Sequence, residues 1–323
     1  MTTTHDDLPH PVPAFAQLRY KENYFFILLA PESDAFGVIH LNHEPGHNRA
    51  RYTANFEIAG RSIRYANMTP FPEKYEYERR IGDGSLNLHF AKVHERFELT
   101  LKTDEIDLDL ALTGRFPTFD YSACRTAGNP APSFQEIMTL GLNLPYNHQQ
   151  QPLLADGTVS FPDGKKVTIS GSGYRDHSWV MRADAGSLEH DWCGLNFPSR
   201  SFGIKTISTA WRPGIVAKEG YVADDEGLRA LRYIETTREG KQADGLCETL
   251  IHKVEDVFGN KYTIKSDIVG RHAHVPLASE APTGGAGYNI VENFCPLELV
   301  ETGEKGVGLV EIGRNSIVGG PYA

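Results

Sequence analysis

The sequence predicts an all-β protein built from two β-barrel or β-sandwich domains in tandem. Short runs of alternating apolar and polar residues recur along most of the chain, and Gly, Pro, Asn and Asp separate them. No apolar pattern with the 3.6-residue period of a helix extends beyond about two turns. At 323 residues the chain is long enough for two domains of ordinary size.

The first half begins with a polar, acidic stretch at residues 1–13, which we interpret as a flexible tail before an N-terminal domain over residues 14–150. The continuous apolar run from Asn23 to Leu29 predicts a strand that is buried on both faces. Alternating runs at 97–101 and 106–112 predict a hairpin. Its intervening aspartates are expected on the solvent face.

The second half shows the same succession of predicted strands and turns after an irregular segment, and we place the domain junction between Pro132 and Gly157. The C-terminal domain is predicted over residues 151–323. Its strands include 166–171, which follows a Pro-Asp-Gly turn, and a closing strand at 306–312.

Composition excludes several classes of function. The formal net charge of −10 argues against binding to nucleic acid or to anionic membranes. The longest apolar run, Tyr24 to Ala30, is too short to span a bilayer, and the N-terminus lacks a signal-peptide pattern. The four cysteines show no metal-ligand spacing, so buried thiols in a reducing cytoplasm are the favoured interpretation. The expected partner is small and neutral, or another protein.

The segment from Gly171 to Trp179, with its continuation to Trp192, concentrates reactive side chains. It combines carboxylates, two imidazoles, a phenol, guanidinium groups and two indoles. All three tryptophans of the chain lie in this segment or shortly after it, the last being Trp211. Glycines ahead of Asp176 suit a chain that leaves a strand to present side chains into a cavity.

Three other kinds of site find less support in the sequence. A serine hydrolase needs a G-x-S-x-G nucleophile elbow, which the chain lacks. His272 and His274 have the spacing to share one strand face, but no carboxylate follows as in cupin-like metal sites, so sheet-surface histidines are favoured. The Gly-rich stretches at 283–287 and 306–308 do not open a helix after a strand, as a phosphate-binding loop does.

The Gly171–Trp179 segment itself has two interpretations. In the first, it is an interdomain hinge in which Asp176 pairs with Arg175 or Arg182. In the second, indoles around Asp176 exclude water and raise the pKa of its carboxyl, which keeps a proton available near neutral pH. Aromatic faces then stabilise a developing cation by about 1–2 kcal/mol each, and His177 holds or activates water.

The residues Gly171-x-Gly-Tyr-Arg-Asp-His-Ser-Trp179 resemble the Gly-x-x-Asp-His-Asn/Ser-Trp signature of the bacterial carotenoid 1,2-hydratase (hydroxyneurosporene synthase) family. That family belongs to the AttH-like, lipocalin-like superfamily, together with fungal prenyl hydratases and decalin-forming Diels–Alderases. Asn23-Tyr-Phe-Phe26, Asn147-His-Gln-Gln150 and Gly306–Glu311 are similar to further segments of these proteins.

The resemblance implies two lipocalin-like (calycin) β-domains with a hydrophobic ligand pocket. By motif it points to Asp176, His177 and Trp179 as catalytic residues. The chain departs from the family in two respects. The downstream Tyr–Asp pair of the hydratases has no match in the strand at 202–211, and Val180 follows Trp179 where many members have Gly.

The sequence therefore leads to the hypothesis of a cytoplasmic hydratase or lyase that acts on a carbon–carbon double bond of a hydrophobic isoprenoid or polycyclic substrate. Neither a metal nor a redox cofactor is expected. Asp176 is the predicted general acid, His177 the water-orienting base and Trp179 a cation-stabilising wall. The predicted substrate-binding residues are Tyr24, Tyr174, His190, Trp192 and Trp211. Two alternatives stay open: a cofactor-free cyclase, isomerase or pericyclase, and a non-catalytic carrier of lipophilic ligands.

Overall fold

The computed structural model describes residues 4–14, 20–126, 146–181, 187–209, 216–278 and 288–315. The chain divides into two compact units, Met1–Asp120 with Pro145–Arg182, and Tyr121–Leu144 with Ala183–Ala323. Each unit carries one antiparallel sheet, so the prediction of an all-β chain with two β-domains is confirmed. Within the described ranges, no helix has the length and apolar character needed to cross a membrane.

The strands of the first unit are β1 Tyr20–Ala30, β2 Ala35–Glu44, β3 Arg49–Ile58, β4 Arg61–Thr69, β5 Arg80–Gly82, β6 Leu86–Lys92, β7 Arg96–Lys102, β8 Asp107–Gly114, β9 Phe119–Asp120, β10 Tyr146–Ser160 and β11 Lys166–Met181. They form a curled sheet in the order β4-β3-β2-β1-β11-β10-β8-β7-β6-β5, with β9 on β10. Short 3-10 helices span Thr4–Asp7, Pro31–Ser33 and Pro45–His47.

The apolar run near the start of the chain forms β1, which is buried along nearly its whole length because β2 and β11 flank it on either side. The predicted hairpin is also present as β7 and β8. Its alternation buries Leu108 and Leu110 and exposes Asp107 and Asp109, as expected from the period of two.

The second unit begins with a short helix and continues with nine strands: α1 Ser122–Thr126, β12 Ser187–Asn196, β13 Ser201–Thr209, β14 Val216–Asp224, β15 Gly227–Glu239, β16 Thr249–Asp256, β17 Lys261–Asp267, β18 Ala273–Ala278, β19 Tyr288–Leu299 and β20 Glu304–Asn315. Strands β12 to β17 pair in sequence order, β12 pairs with β20, and β20 pairs with β19. A further pairing of β17 with β19 closes these eight strands into a barrel, and β18 lies beside β19.

The division between the units differs from the predicted boundary at residue 150, which lies inside β10. Strand β10 pairs with β8 on one side and with β11 on the other, so both belong to the first sheet. The Asp-His-Ser-Trp segment, assigned from sequence to the C-terminal domain, lies on β11 and is paired with β1. The junction segment at 127–145 lies outside the described residues.

The N-terminal stretch also differs from the predicted flexible tail. The side chains of Asp7 and Leu8 are buried, and Leu8 belongs to the hydrophobic core of the first unit. Pro9 accepts a backbone hydrogen bond from Tyr77 at 2.7 Å. The polar composition of this stretch did not predict these contacts. Asp7 can be buried because it forms an ion pair with Arg175, which lies far along the chain.

Candidate functional site

Strand β11 presents its reactive side chains on two opposite faces. Arg175, His177 and Trp179 alternate with Asp176 and Ser178, and the register of β11 with β1 runs without a shift through all five positions. His177 and Trp179 stack on each other with ring centroids 4.5 Å apart. Asp176 therefore does not share a face with the two residues with which the sequence hypothesis combined it.

Glu22 of β1 lies at the centre of the polar cluster on the His177 face. Its side chain is fully buried, and its Oε1 atom lies 2.8 Å from His177 Nε2 and 2.7 Å from His10 Nδ1. Tyr24 donates to the same oxygen at 3.1 Å. Because a carboxylate can only accept, both imidazole nitrogens at this oxygen carry protons.

The second oxygen of Glu22 is equally well satisfied. Its Oε2 atom accepts hydrogen bonds from the Tyr75 hydroxyl at 2.8 Å, from the Tyr20 hydroxyl at 3.1 Å and from the His10 backbone N–H at 3.1 Å. Burial and the neighbouring Glu22 charge raise the pKa of Tyr24 and of Tyr75 well above the usual value, so both phenols remain donors.

The pKa of Glu22 reflects two opposing effects. Burial alone would raise it, but the hydrogen bonds from His10 and His177 outweigh burial and lower the pKa below its usual range. Glu22 is therefore an anion at neutral pH, although no water reaches it.

His177 is held as a neutral base. Burial lowers the pKa of its imidazole, against the opposing effect of Glu22, and the rings of Tyr24 and Trp179 cover its two faces at centroid distances of 4.2 and 4.5 Å. Since Nε2 donates to Glu22, Nδ1 carries the lone pair, and this buried atom has no hydrogen-bond partner among the described residues. An unpaired buried polar atom costs about 1–3 kcal/mol, and Nδ1 of His43 and of His148 are in the same situation among the described residues.

The N-terminal segment completes the cluster. The ring of His10 stacks on Trp179 at 4.2 Å, and Asp7 forms a buried ion pair with Arg175. Arg175 also donates to Gln151 at 2.8 Å. These contacts fasten the segment to β10 and β11 directly beside His177.

The atoms of His10, Glu22 and His177 that could bind a metal lie within 4.8 Å of one another. Two imidazoles and a carboxylate also form the ligand set of many zinc enzymes. In this structure the same atoms are joined by N–H···O hydrogen bonds, so protons satisfy them without an ion. The His272–His274 pair is not such a group, since His274 instead lies 3.2 Å from the Asn293 side chain and His272 precedes β18.

The predicted general acid, Asp176, hydrogen-bonds to the imidazole of His148 on β10. The pair lies on the face of β11 that is opposite to Trp179. The sequence hypothesis expected indoles around the Asp176 carboxyl, but the alternation of side chains along the strand places Trp179 on the other face. Tyr174 is on the same face as Asp176 and is fully buried.

The remaining predicted residues lie in the second unit or outside the described chain. His190 and Trp192 share one face of β12, and His190 hydrogen-bonds to Glu311 of β20. Trp211 lies outside the described residues. Of the predicted set, the structure thus brings together Tyr24, His177 and Trp179 in the first unit.

Glu22 and His10 were missed by sequence reasoning. Glu22 does carry a signal, because it is an acidic residue inside a strand that is otherwise apolar and aromatic, and such a residue needs a buried partner. His10 carries none, since it lies in a stretch with no strand or helix pattern.

Comparison with known proteins identifies the family of the chain. A family model described as a domain of unknown function, DUF7064, matches residues 3–316. The chain belongs to the DUF7064 family. No curated protein matches its sequence.

Solved structures share the fold of this DUF7064 chain at low identity. An AttH protein from Nitrosomonas europaea is 14% identical with a TM-score of 0.62, over 94% of this chain and 97% of the other. Kievitone hydratase from Nectria haematococca is 13% identical with a TM-score of 0.61, over 97% and 95%. CghA in complex with Sch210972 is 9% identical with a TM-score of 0.60, over 96% and 95%. The superfamily resemblance found in the sequence is confirmed at the level of the fold.

Proposed function

We propose that this DUF7064 protein is a cofactor-independent hydratase or hydro-lyase in which His177 transfers a proton. The observation that carries the proposal is the asymmetry of the His177 ring, whose Nε2 is fixed by Glu22 while Nδ1 is buried and has no partner in the part of the chain that the structure describes. A carboxylate that holds one nitrogen of an imidazole sets its tautomer and orientation, as in catalytic triads.

In the hydration direction, Nδ1 of His177 accepts a proton from water as the water oxygen bonds to one alkene carbon, and the imidazolium then gives that proton to the other alkene carbon. In the reverse direction, Nδ1 removes the C–H proton, and the imidazolium gives it to the oxygen that departs as water. Glu22 stabilises the imidazolium by charge, and the faces of Tyr24 and Trp179 stabilise it through their quadrupoles. General acid–base assistance of this kind contributes about 10²–10⁴ in rate.

A hydrophobic substrate, isoprenoid or polycyclic, is the class we assign. The aromatic surroundings of His177 favour an apolar molecule over a charged one. Kievitone hydratase, whose name describes hydration of kievitone, supports this assignment through a fold shared along nearly the whole chain.

A cofactor-free cyclase or pericyclase is the second candidate. It is favoured by the likeness to CghA with bound Sch210972, whose TM-score of 0.60 is nearly equal to that of the hydratase at 0.61. In such an enzyme the cavity mainly folds the substrate, and positioning supplies the rate.

Incubation in H₂¹⁸O separates these functions. The purified protein is given kievitone and a panel of acyclic isoprenoid alkenes, and the products are analysed by mass spectrometry. A hydratase adds one labelled water per turnover, and a cyclase gives an unlabelled product of the same mass as the substrate. A carrier returns every compound unchanged, which would overturn both enzymatic proposals.

A further inference from the structure

The residues around His177 are closed off from solvent in this structure. His177 and Glu22 are fully buried, and Trp179 is only 8% exposed. The hydration that we propose requires contact between the substrate and Nδ1 of His177. Part of the protein must therefore move before a substrate binds, because a buried group reacts only in a conformation that exposes it.

Residues 6–14, called the strap below, lie between this cluster and solvent. The ring of His10 stacks on Trp179 with centroids 4.2 Å apart, and its centre lies 5.4 Å from that of His177. The neighbouring Pro11 is exposed. The strap thus has one side on the cluster and the other in solvent.

The strap is held by side-chain contacts rather than by a strand ladder. Its residues 8–14 belong to no strand or helix. Asp7 forms the buried ion pair with Arg175, and His10 bonds to Glu22 through its backbone N–H at 3.1 Å and its Nδ1 at 2.7 Å. A segment with few backbone hydrogen bonds separates from a sheet at a lower free energy than a central strand does.

Two of the residues that hold the strap have strained backbones. Tyr77 donates its backbone N–H to the carbonyl of Pro9 at 2.7 Å, and His94 donates its backbone N–H to Asp7 Oδ2 at 2.7 Å. The φ angles of Tyr77 and His94 are 58° and 61°, in the left-handed region that large side chains disfavour. The strain is therefore concentrated where the strap is attached, and release of the strap allows both residues to relax.

We propose that the strap is a gate that opens to admit the substrate to His177. This inference rests on the proposed function, since it takes His177 as the group that the substrate must reach. When the strap opens, His10 leaves Trp179 and Glu22. The space beside His177 then becomes available to an apolar molecule.

Hydrogen–deuterium exchange of single amides in the full chain at pH 7 tests whether the strap opens by itself. The amides of His10, Tyr77 and His94 form the hydrogen bonds described above, so they exchange when the strap opens. We expect these three amides to have similar protection factors, about 10²-fold or more below those of β1. Protection as strong as that of β1 would overturn the proposal, because the strap would then open only when the whole unit unfolds.

Chemical modification tests whether that opening uncovers His177. Diethyl pyrocarbonate acylates unprotonated imidazoles, and mass spectrometry of the peptides gives the initial rate for each histidine. We expect His177 to react more slowly than the exposed His47 by the factor that protects the His10 amide, within about threefold. A rate as slow as the opening of β1 would overturn the proposal.

Two variants of the strap should change both measurements by the same factor. Asp7→Asn should accelerate amide exchange and modification of His177 by about 10²-fold or more. Val12→Ala, a milder change that removes a partly buried apolar contact, should accelerate both by about threefold or more. Asp163→Asn is the matched control, since it breaks an exposed ion pair with Arg61, and it should stay within about twofold of the wild type.

Faster amide exchange in the strap variants without faster modification of His177 would also overturn the proposal. Neither measurement needs a substrate. Failure of the gate is therefore distinguishable from failure of the proposed hydration, which labelling by H₂¹⁸O measures.

Discussion

Nε2 of His177 lies 2.8 Å from Oε1 of Glu22, and the two residues are 155 positions apart in the sequence. This contact joins β11 to β1 inside the first unit and fixes which imidazole nitrogen carries the proton. In the proposed reaction, Glu22 is therefore a positioning residue, which acts through His177.

Asp176→Asn should reduce kcat/KM by less than about tenfold. Asp176 is paired with His148 on the face of β11 away from His177, so its charge does not take part in the His177–Glu22 contact. Steady-state kinetics on the substrate found by ¹⁸O labelling measure the effect. A loss of about 10² or more, the size of a general-acid contribution, would restore Asp176 as the acid.

Glu22→Gln should make the stability of the protein less sensitive to acid. The pKa of Glu22 is lower in the folded state than its ordinary value of 4.5, so the unfolded state binds more protons. Stability is therefore present above pH 4.5 and is lost as the pH falls through the folded pKa. Urea midpoints at pH 7, 5, 4 and 3 give the measurement.

The control for this series is Glu95→Gln, at a glutamate with 59% of its side chain exposed. It should follow the wild-type pH curve. If Glu22→Gln loses stability between pH 5 and 3 as steeply as the wild type, Glu22 is not the buried anion described above.

His43→Phe should reduce the amount of stability that the protein loses as the pH falls from 6.5 to 4. Burial lowers the pKa of His43 from 6.5 to about 4, so the unfolded state takes up its proton first and stability falls as the pH decreases through this window. The full shift corresponds to about 3 kcal/mol. Denaturant unfolding of the variant and of an exposed control, His47→Phe, at pH 7 and pH 4 provides the comparison. Equal pH dependence in both variants would contradict the prediction.

Asp7→Asn should destabilise the protein by about 3–5 kcal/mol, because it leaves the buried guanidinium of Arg175 without its ion-pair partner. Glu95→Gln breaks an exposed pair with Lys92 and should change stability by less than about 1 kcal/mol. Chemical denaturation measures both. Equal effects would mean that residues 4–14 contribute no more to stability than a surface loop.

The strand pattern was predictable from sequence wherever one face is buried, as the β7–β8 hairpin shows, because alternation has a fixed period of two. The same rule separates Asp176 from His177: adjacent residues in a strand face opposite sides. Their grouping as one catalytic pair followed the motif and overlooked this constraint.

Contacts between residues far apart in the sequence could not be predicted from local sequence patterns. The contact of His10 with Glu22 follows from chain packing, and no spacing in the sequence indicates it. Likewise, Glu292 and Glu311 lie on different strands, and only the register of β19 with β20 shows that they are opposed. The sequence hypothesis expected a carboxyl with a raised pKa beside an indole at Asp176. In the structure, the carboxyl with a raised pKa is that of Glu292, beside Glu311, and Trp192 is directly opposed to Glu311.

The central claim is that Nδ1 of His177 transfers the proton in a hydration reaction. The most direct measurement compares rates of ¹⁸O incorporation by the wild type, His177→Gln and His89→Gln, the last being a partly exposed histidine paired with Glu98. Near-UV circular dichroism verifies that each variant is folded. The account predicts that His177→Gln loses about 10²-fold or more and that His89→Gln stays within about twofold of the wild type, as a surface substitution should. Labelled product formed by folded His177→Gln at the wild-type rate would contradict it.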